Sequence, residues 1–326
     1  MKRILLSLFI TAIILYVLLS QISLKDLYAL FITMNPVWIF LGAASYFLAL
    51  LFRALRFKWL IHSKAISLSE LFRITAFYHL SLMVLPSKLG ELSYPYFLTK
   101  IGGMNMTEGL ASLIASRIYD LFIILLVFFF ACIGFQSFFK DNLFLILLLV
   151  CLLITFIFLA FFYMSTCLRW ISNILKKISK MTHSGNSKSF LWVQRKMNEM
   201  AEDFYAIKDQ KSYFPVSLTS LASWGMIFWT FYAFLRGFGI GISFLQMIFG
   251  STVGVIANAL PISGIGNWGT LEAGWTAGFL MVGLSKEKAI ATGFGIHILI
   301  FIACAMISFF CWATLRKPKN PPPTAP

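Results

Sequence analysis

Two stretches of this 326-residue chain share one pattern: LPSKLGE at residues 85–91 and LPISGIGNWGTLE at residues 260–272. Each begins with a leucine-proline break, passes through glycine and ends at a glutamate. An apolar segment with ionisable side chains follows each stretch. It holds Arg117 and Asp120 after the first stretch and His297 after the second. The pattern therefore predicts a duplicated unit.

The spacing of the chemical groups repeats as well. Nearly the same number of residues separates Glu91 from Glu272 as separates Arg117 from His297. The glycines of the two stretches are Gly90, Gly264, Gly266 and Gly269. In a membrane chain, duplicated halves that each contain an interrupted apolar segment indicate a substrate site between the halves.

The composition identifies an integral membrane protein. Hydrophobic residues make up 60% of the chain and charged residues only 12%, which leaves too little polar surface for a water-soluble globule. Six segments are long and apolar enough to cross a bilayer, which takes roughly 20 residues. They lie near residues 4–20, 37–52, 110–134, 143–164, 213–235 and 289–313. The first has no small-residue cleavage site, so we expect a retained anchor.

The net charge of +15 is explained by topology. Lysine and arginine follow the second span, fill residues 165–212 and recur at the C-terminus, and such segments are cytoplasmic by the positive-inside rule. Both termini are then predicted to be cytoplasmic, in the plasma membrane. The charge favours anionic lipid headgroups as partners, and we expect no nucleic-acid binding.

The interrupted segments predict two re-entrant hairpins. Residues 71–98 break at Pro86 between short apolar pieces, and residues 242–283 break at Pro261. We expect the first hairpin to enter from the cytoplasm and the second from outside, although residues 242–260 could also cross fully. The predicted fold is an all-α integral membrane protein with about six transmembrane helices and two re-entrant hairpins in an inverted repeat.

This reading divides the chain as one membrane domain with two halves. The domain covers residues 1–317, with a first half at 1–134, a second half at 143–317 and a cytoplasmic linker at 165–212. Within the linker, apolar residues at helical spacing predict an amphipathic helix on the membrane surface, from Val193 through Phe204 to Ile207. The proline-rich tail 318–326 is expected to be disordered.

Several ionisable residues could carry chemistry. Arg117 and Asp120 share a helix face, so they form either a structural ion pair or part of a substrate pathway. Glu91 and Glu272 on glycine-rich breaks could bind ligand, hold a proton or cap a half-helix. His297 is either a packing residue or a partner of that site.

The basic residues after the second span have two readings. Arg53, Arg56, Lys58 and Arg73 could anchor the cytoplasmic face, or could recruit a headgroup. No hydrolase, Walker A or metal-ligand motif occurs, and the five cysteines form no CxxC pair. We therefore expect neither catalysis nor a cofactor or metal.

The motifs together resemble a known family. PSKLGE at 86–91, SRIYD at 116–120, LPISGIGNWGTLE at 260–272 and RALRF at 53–57 are similar to the flippase-like family named after the transmembrane region of lysylphosphatidylglycerol synthase. The resemblance implies a polytopic helical domain associated with moving lipids between leaflets. In the synthase this domain precedes an aminoacyl-transferase domain, which this sequence lacks, so lysyl transfer is not expected.

One departure concerns the second glycine stretch. It is longer than the commoner P-x-x-G-G-x-G-x-x-E form of the family and carries Asn267 and Trp268. The predicted function is translocation of an anionic phospholipid or a polyprenyl-phosphate-linked lipid. In this hypothesis Arg117, helped by Arg53 or His297, holds the phosphate.

Three alternatives stay open at this point. A secondary transporter for a small anion would use the same architecture, a membrane-embedded enzyme would act on a lipid-linked substrate, and a scaffold would only assemble partners. The predicted substrate site comprises Arg53, Glu91, Arg117, Asp120, Glu272 and His297. We expect these side chains to meet near the middle of the membrane.

Overall fold

The computed structural model describes residues 16–18, 20, 24–62, 66–86, 89–135, 139, 142–181, 188–210, 212–259 and 268–314. These residues form helices with no β-strand among them. The helices are α1 (Leu24–Ile32), α2 (Pro36–Leu60), α3 (Leu68–Val84), α4 (Ser93–Gly102), α5 (Met106–Gly134), α6 (Leu143–Met181), α7 (Lys188–Asp209), α8 (Tyr213–Gly237), α9 (Phe244–Ala259), α10 (Thr270–Met281) and α11 (Lys286–Ala313). A 3-10 helix at Leu89–Leu92 precedes α4.

The all-α membrane fold predicted from the sequence is confirmed. Five of the described helices are long and apolar enough to span a bilayer, namely α2, α5, α6, α8 and the segment Lys286–Ala313. The predicted first span at 4–20 falls mostly outside the described residues, and the predicted tail at 318–326 lies wholly outside them.

The helix α3 ends where the sequence predicts a break. It begins at a capping box in which the Ser67 hydroxyl and the Glu70 carboxylate satisfy each other's backbone amides. Leu85 is extended, as the residue before a proline prefers. The chain then turns back so closely that a Cβ on Gly90 would lie 2.7 Å from the Ser81 carbonyl oxygen. Only glycine allows this approach.

The helices α3 and α4 form an antiparallel hairpin. Aromatic contacts join Tyr78 to Tyr94 and Phe77 to Phe97 along it. The helices α9 and α10 form a second antiparallel hairpin, which packs through glycine. A Cβ on Gly278 would lie 2.2 Å from the Gly250 carbonyl oxygen. Small residues let two backbones pack this tightly in a membrane protein.

The helix lengths repeat along the chain. The helices α2 to α5 contain 25, 17, 10 and 29 residues, and α8 to α11 contain 25, 16, 12 and 28. The longest helix contact joins α2 to α8, which run antiparallel, and each hairpin also packs on a long helix of the other half, α3 on α11 and α9 on α5. An inverted repeat would produce these relations, and the inversion and the re-entrant depth of the hairpins stay predictions.

Two regions differ in detail from their sequence-based interpretation. The segment 21–36, which lies between the first two predicted spans, contains α1. The predicted linker 165–212 begins inside α6, which continues to Met181. In α7, Phe204 and Ile207 are buried in a cluster with side chains of α5 and α6, whereas Val193 is exposed. Part of the apolar face therefore packs on protein and not on a membrane surface.

Candidate functional site

A charged cluster forms where α2, α3, α5 and α8 meet. The helix α2 presents Arg53 and Arg56 three residues apart on one face, and α8 presents Ser220 and Ser223 with the same spacing. Since α2 and α8 run antiparallel, each arginine faces one serine, at 3.1 Å for Arg53 Nε to Ser223 Oγ and 3.4 Å for Arg56 Nη1 to Ser220 Oγ. The short serine side chains leave room for the guanidinium groups.

The pair Arg56–Asp120 is the buried centre of the cluster. Arg56 donates to Asp120 through Nη1 at 2.6 Å and Nη2 at 3.3 Å, and to Ser116 Oγ at 2.5 Å. Trp224 Nε1 donates to Asp120 Oδ1 at 2.8 Å. The Arg56 side chain is only 2% exposed and the Asp120 side chain 7%. Such a bidentate pair fixes the geometry around it.

The role given to Arg56 as a possible cytoplasmic anchor is therefore wrong, because the side chain points into the protein and not to an aqueous surface. The sequence contained one signal of this. Asp120 in the middle of an apolar helix must find a cation, and Arg56 shares a helix face with Arg53. Nothing in the local pattern says which cation it finds.

The second pair is Glu91–Arg117. Arg117 Nη2 lies 2.7 Å from Glu91 Oε1, and Arg117 Nε donates to Glu91 Oε2 at 3.1 Å. The Tyr78 hydroxyl donates to Glu91 Oε2 at 2.8 Å and accepts a short hydrogen bond from Arg117. The predicted proximity of Arg117 to Asp120 is present at 3.6 Å. The Arg117 side chain is 39% exposed, so this pair faces an accessible space.

Arg53 differs from both other arginines. Its Nη1 lies within 3.0 Å of a His79 ring nitrogen, and its guanidinium carbon lies 5.8 Å above the Trp224 ring. Within the described part of the chain no carboxylate forms an ion pair with Arg53. The cluster thus combines three arginines with two carboxylates, Glu91 and Asp120, and holds one positive charge in surplus. His79 is a contact that sequence reasoning missed.

Glu272 and His297 form a separate buried pair. His297 Nδ1 lies 2.5 Å from Glu272 Oε1, and the two side chains are 2% and 0% exposed. The other carboxylate oxygen accepts the Gly269 amide at 2.7 Å, so Glu272 also caps α10. Gly269 adopts φ 91°, a left-handed conformation that favours glycine. The Trp268 ring stacks on the imidazole with centroids 4.0 Å apart.

The structure does not bring the Glu272–His297 pair into the charged cluster that holds Glu91 and Arg117, because the pair and the cluster lie at different levels of the helix bundle. Gly295 of α11 packs on Phe238, near the start of α2, and Cys304 further along α11 contacts Tyr46 of α2. The helices α2 and α11 therefore run in the same direction. Arg53 lies seven residues beyond Tyr46 and His297 seven residues before Cys304. At the helical rise, roughly 20 Å of bundle length separates them.

Of the four predicted glycines, two lie among the residues that the structure describes and two do not. Gly90 and Gly269 lie beside the two pairs, as expected for glycine breaks that approach a site. Gly264 and Gly266 lie outside the described residues. Among the residues that the structure describes, no group of three or more histidine, cysteine or carboxylate side chains could hold a metal ion.

An apolar groove lies behind the charged cluster. It has a volume of about 370 Å³ between α5, α6 and α8. Its lining includes Tyr119 and Leu221, each next in sequence to a residue of the cluster. The complete lining is Ile118, Tyr119, Phe122, Ile123, Leu126, Ile157, Phe158, Phe161, Phe162, Tyr213, Ser217 and Leu221. The groove is wide and apolar enough for hydrocarbon chains.

Comparison with known proteins gives one family. The family described as "Lysylphosphatidylglycerol synthase TM region" matches residues 4–308, which is nearly the whole chain. No curated protein and no solved structure gives a significant match. The match includes all three charged pairs and both hairpins.

Proposed function

The chain belongs to the family of the lysylphosphatidylglycerol synthase transmembrane region, and from that premise we propose that it moves an anionic lipid between the leaflets of the plasma membrane. The substrate is a phospholipid or a polyprenyl-phosphate-linked lipid. The protein acts as a transporter and not as an enzyme, with both termini in the cytoplasm.

The surplus positive charge of the cluster is the observation that supports this function best. An ionised group without a partner is costly to place among membrane-spanning helices. Arg53 lacks a carboxylate partner within the described residues, although Asp120 and Glu91 satisfy its two neighbours. One bound anion would neutralise the cluster. Guanidinium groups suit phosphate because they donate two parallel hydrogen bonds.

In this proposal each member of the cluster has a role that its contacts support. Arg53 and Arg117 hold the phosphate, with His79 and Ser223 orienting Arg53. Glu91 competes with the phosphate for Arg117, so a lipid that binds must loosen the Glu91–Arg117 pair. Because Glu91 lies on the turn of the first hairpin, this exchange couples headgroup binding to the position of the hairpin.

The Arg56–Asp120 pair has a different role. It is the most buried pair of the cluster and holds α2 against α5 while Arg53 changes partners. Its geometry is closed by Ser116 and Trp224, so it offers no free donor toward a ligand other than the buried Arg56 Nε.

The apolar groove favours a lipid over a small soluble anion. It runs along the same helices, α5 and α8, that carry the cluster. Its third wall, α6, is little covered by protein, since only 6% of its most apolar window is buried. A lipid could keep its acyl chains in this groove or in the bilayer while its headgroup sits in the cluster. A small solute would have no use for it.

Reconstitution tests this proposal. Liposomes that contain the purified protein are prepared with phosphatidylglycerol carrying a fluorescent headgroup, and dithionite added outside bleaches the label as it reaches the outer leaflet. We expect Arg53→Gln and Arg117→Gln to slow this phase about tenfold or more, since a hydrogen bond to a charged group contributes about 1.5–3 kcal/mol.

The matched control is Arg195→Gln, on the exposed face of α7 with a side chain 67% exposed. It should flip lipid at the wild-type rate. Further arms carry a labelled zwitterionic lipid, a short polyprenyl phosphate and soluble phosphate uptake. Equal rates in wild-type protein, in both folded arginine variants and in protein-free vesicles would refute lipid translocation, and phosphate uptake without lipid movement would favour a small-anion carrier.

A further inference from the structure

We propose that Glu272 and His297 form a proton-binding site, and that the protein carries one proton together with each anionic lipid. This inference rests on the proposed lipid transport and adds its energy source. The two residues lie apart from the phosphate cluster, in the other half of the chain.

The pair is enclosed. Its contacts are one short interaction between His297 Nδ1 and Glu272 Oε1 at 2.5 Å, one amide hydrogen bond from Gly269 and a stacked Trp268 ring. Both side chains are at least 98% buried. Removing an ionised carboxylate from water in this way requires a compensating charge close by.

The surrounding elements supply no other charge among the described contacts of the pair. On α10 and α11 the remaining charged residues are at the exposed start of α11, 286–288, about two and a half turns before His297. Tyr46 of α2 and Cys304 are titratable groups facing along α11, seven residues away, and Tyr28 of α1, which also packs on α11, is 68% exposed. On α8, Arg236 is exposed and contacts Trp38. On α3, His79 belongs to the phosphate cluster.

The two halves place different bases at equivalent positions. In the first half the base is Arg117, and an arginine side chain keeps its positive charge. In the second half the base is a histidine, a side chain that exists either neutral or, with one more proton, as a cation. The second pair therefore changes from a net charge of −1 to zero when it takes up one proton.

The charges of the two sites balance when both sites are empty and again when both ligands are bound. The empty phosphate cluster carries +1 and the unprotonated pair −1. A lipid phosphate of charge −1 neutralises the cluster, and one proton neutralises the pair. Binding either ligand alone leaves a net charge within the membrane, so each favours the other, and this coupling is reciprocal. The proton forms an N–H or O–H bond on entry and breaks it on release to the opposite side.

A pH gradient tests the coupling. Proteoliposomes with labelled phosphatidylglycerol and a pH-sensitive dye inside are placed in a gradient of one pH unit. We expect the labelled lipid to accumulate in the leaflet on the alkaline side by up to about tenfold, the value for one proton per lipid. Reversing the gradient should reverse the accumulation, and the dye should report proton movement only when flippable lipid is present.

Two variants separate this proton site from the phosphate site. His297→Arg gives the second half the fixed base of the first, and Glu272→Gln removes the carboxylate. We expect either one, if folded, to flip lipid without any response to the gradient and without lipid-dependent proton movement. The wild-type measurements test proton coupling even if neither variant folds.

Each outcome decides between the proposals. Flipping by wild-type protein that ignores both gradient directions, with no proton movement, overturns proton coupling and leaves lipid transport intact. Coupled lipid and proton movement that survives in folded His297→Arg and Glu272→Gln overturns the assignment to this pair. Absence of flipping by wild-type protein overturns both proposals.

Discussion

Replacing Asp120 by asparagine should strongly destabilise the protein, because it removes one charge from a buried pair without changing its volume. The Oδ1 atom accepts from Arg56 Nη1 and from Trp224 Nε1, and an asparagine oxygen can keep both bonds. The Oδ2 atom lies 3.3 Å from Arg56 Nη2 and 3.6 Å from Arg117 Nη1. An amide NH₂ there would point a donor at two guanidinium groups.

The magnitude follows from burial. Arg56 is 2% exposed and would keep its charge in a site that no longer contains the opposite one. Breaking a buried ion pair from one side costs about 3–5 kcal/mol in proteins. The cluster would then hold three arginines against Glu91 alone, which adds repulsion. We therefore expect a loss near 3–5 kcal/mol in the free energy of unfolding.

Reversible unfolding by dodecyl sulfate in mixed micelles measures this free energy. Asp209→Asn, at an exposed position at the end of α7, is the matched control and should leave it unchanged. The double change Arg56→Leu with Asp120→Leu should recover much of the loss, since it leaves no buried charge unpaired. A single Asp120→Asn variant within 1 kcal/mol of wild type, by that assay, would refute the reasoning; this threshold is roughly a quarter of the expected effect.

Two further predictions concern packing and pH. Gly278→Ala should destabilise the second hairpin by about 1–3 kcal/mol, because its Cβ would meet the Gly250 carbonyl oxygen. Gly225→Ala is the control, since its Cβ would meet nothing within 4 Å. The melting temperature of Gly278→Ala should therefore be the lower of the two. Burial raises the pKa of the Asp203 carboxyl on α7. The ionised carboxylate is therefore disfavoured in the folded state, so Asp203→Asn should raise the melting temperature at neutral pH. This gain should disappear when the medium is acidic enough to protonate Asp203 in both the folded and the unfolded state. At neutral pH the gain should be larger than that of the exposed control Glu202→Gln.

Much of the fold was predictable because the position of a membrane helix depends on the composition of neighbouring residues in the sequence. Span lengths, the break before Pro86 and the return at Gly90 each depend on residues within one turn or one helix. The repeated offset between the glutamates and their bases was also informative. Each glutamate pairs with the base of its own half, Glu91 with Arg117 and Glu272 with His297.

The partner of each remaining charge could not be predicted, because it depends on how distant helices pack. Arg53 meets Ser223 and Arg56 meets Ser220 only because α2 lies antiparallel along α8, and Arg56 meets Asp120 because α2 also packs on α5. Helical periodicity shows which side chains share a face, but not which face of another helix they meet. For the same reason periodicity could not show that His297 lies away from the cluster that contains Arg117.

The distribution of bonds between the two halves suggests how they could move. The ion pairs described between membrane-spanning segments and hairpins lie within one half, whether Arg56–Asp120, Arg117–Glu91 or His297–Glu272. The polar contacts across the boundary are hydrogen bonds to serine, threonine, tryptophan or backbone groups, such as Ser45 Oγ to Thr230 Oγ1 at 2.9 Å, and apolar side chains of both halves share one core.

A neutral hydrogen bond such as Ser45–Thr230 contributes about 1 kcal/mol and one to a charged group about 1.5–3 kcal/mol, whereas breaking a buried ion pair from one side costs about 3–5 kcal/mol. Displacing one half against the other would therefore change these hydrogen bonds and the apolar packing of α2 on α8, and leave the three ion pairs intact. Arg53 differs from the paired charges, because it lies in the first half and its serine partner, Ser223, lies in the second. In the proposed lipid transport, a shift along α2 and α8 would change what Arg53 can reach, and with it the side of the membrane from which the site takes an anion.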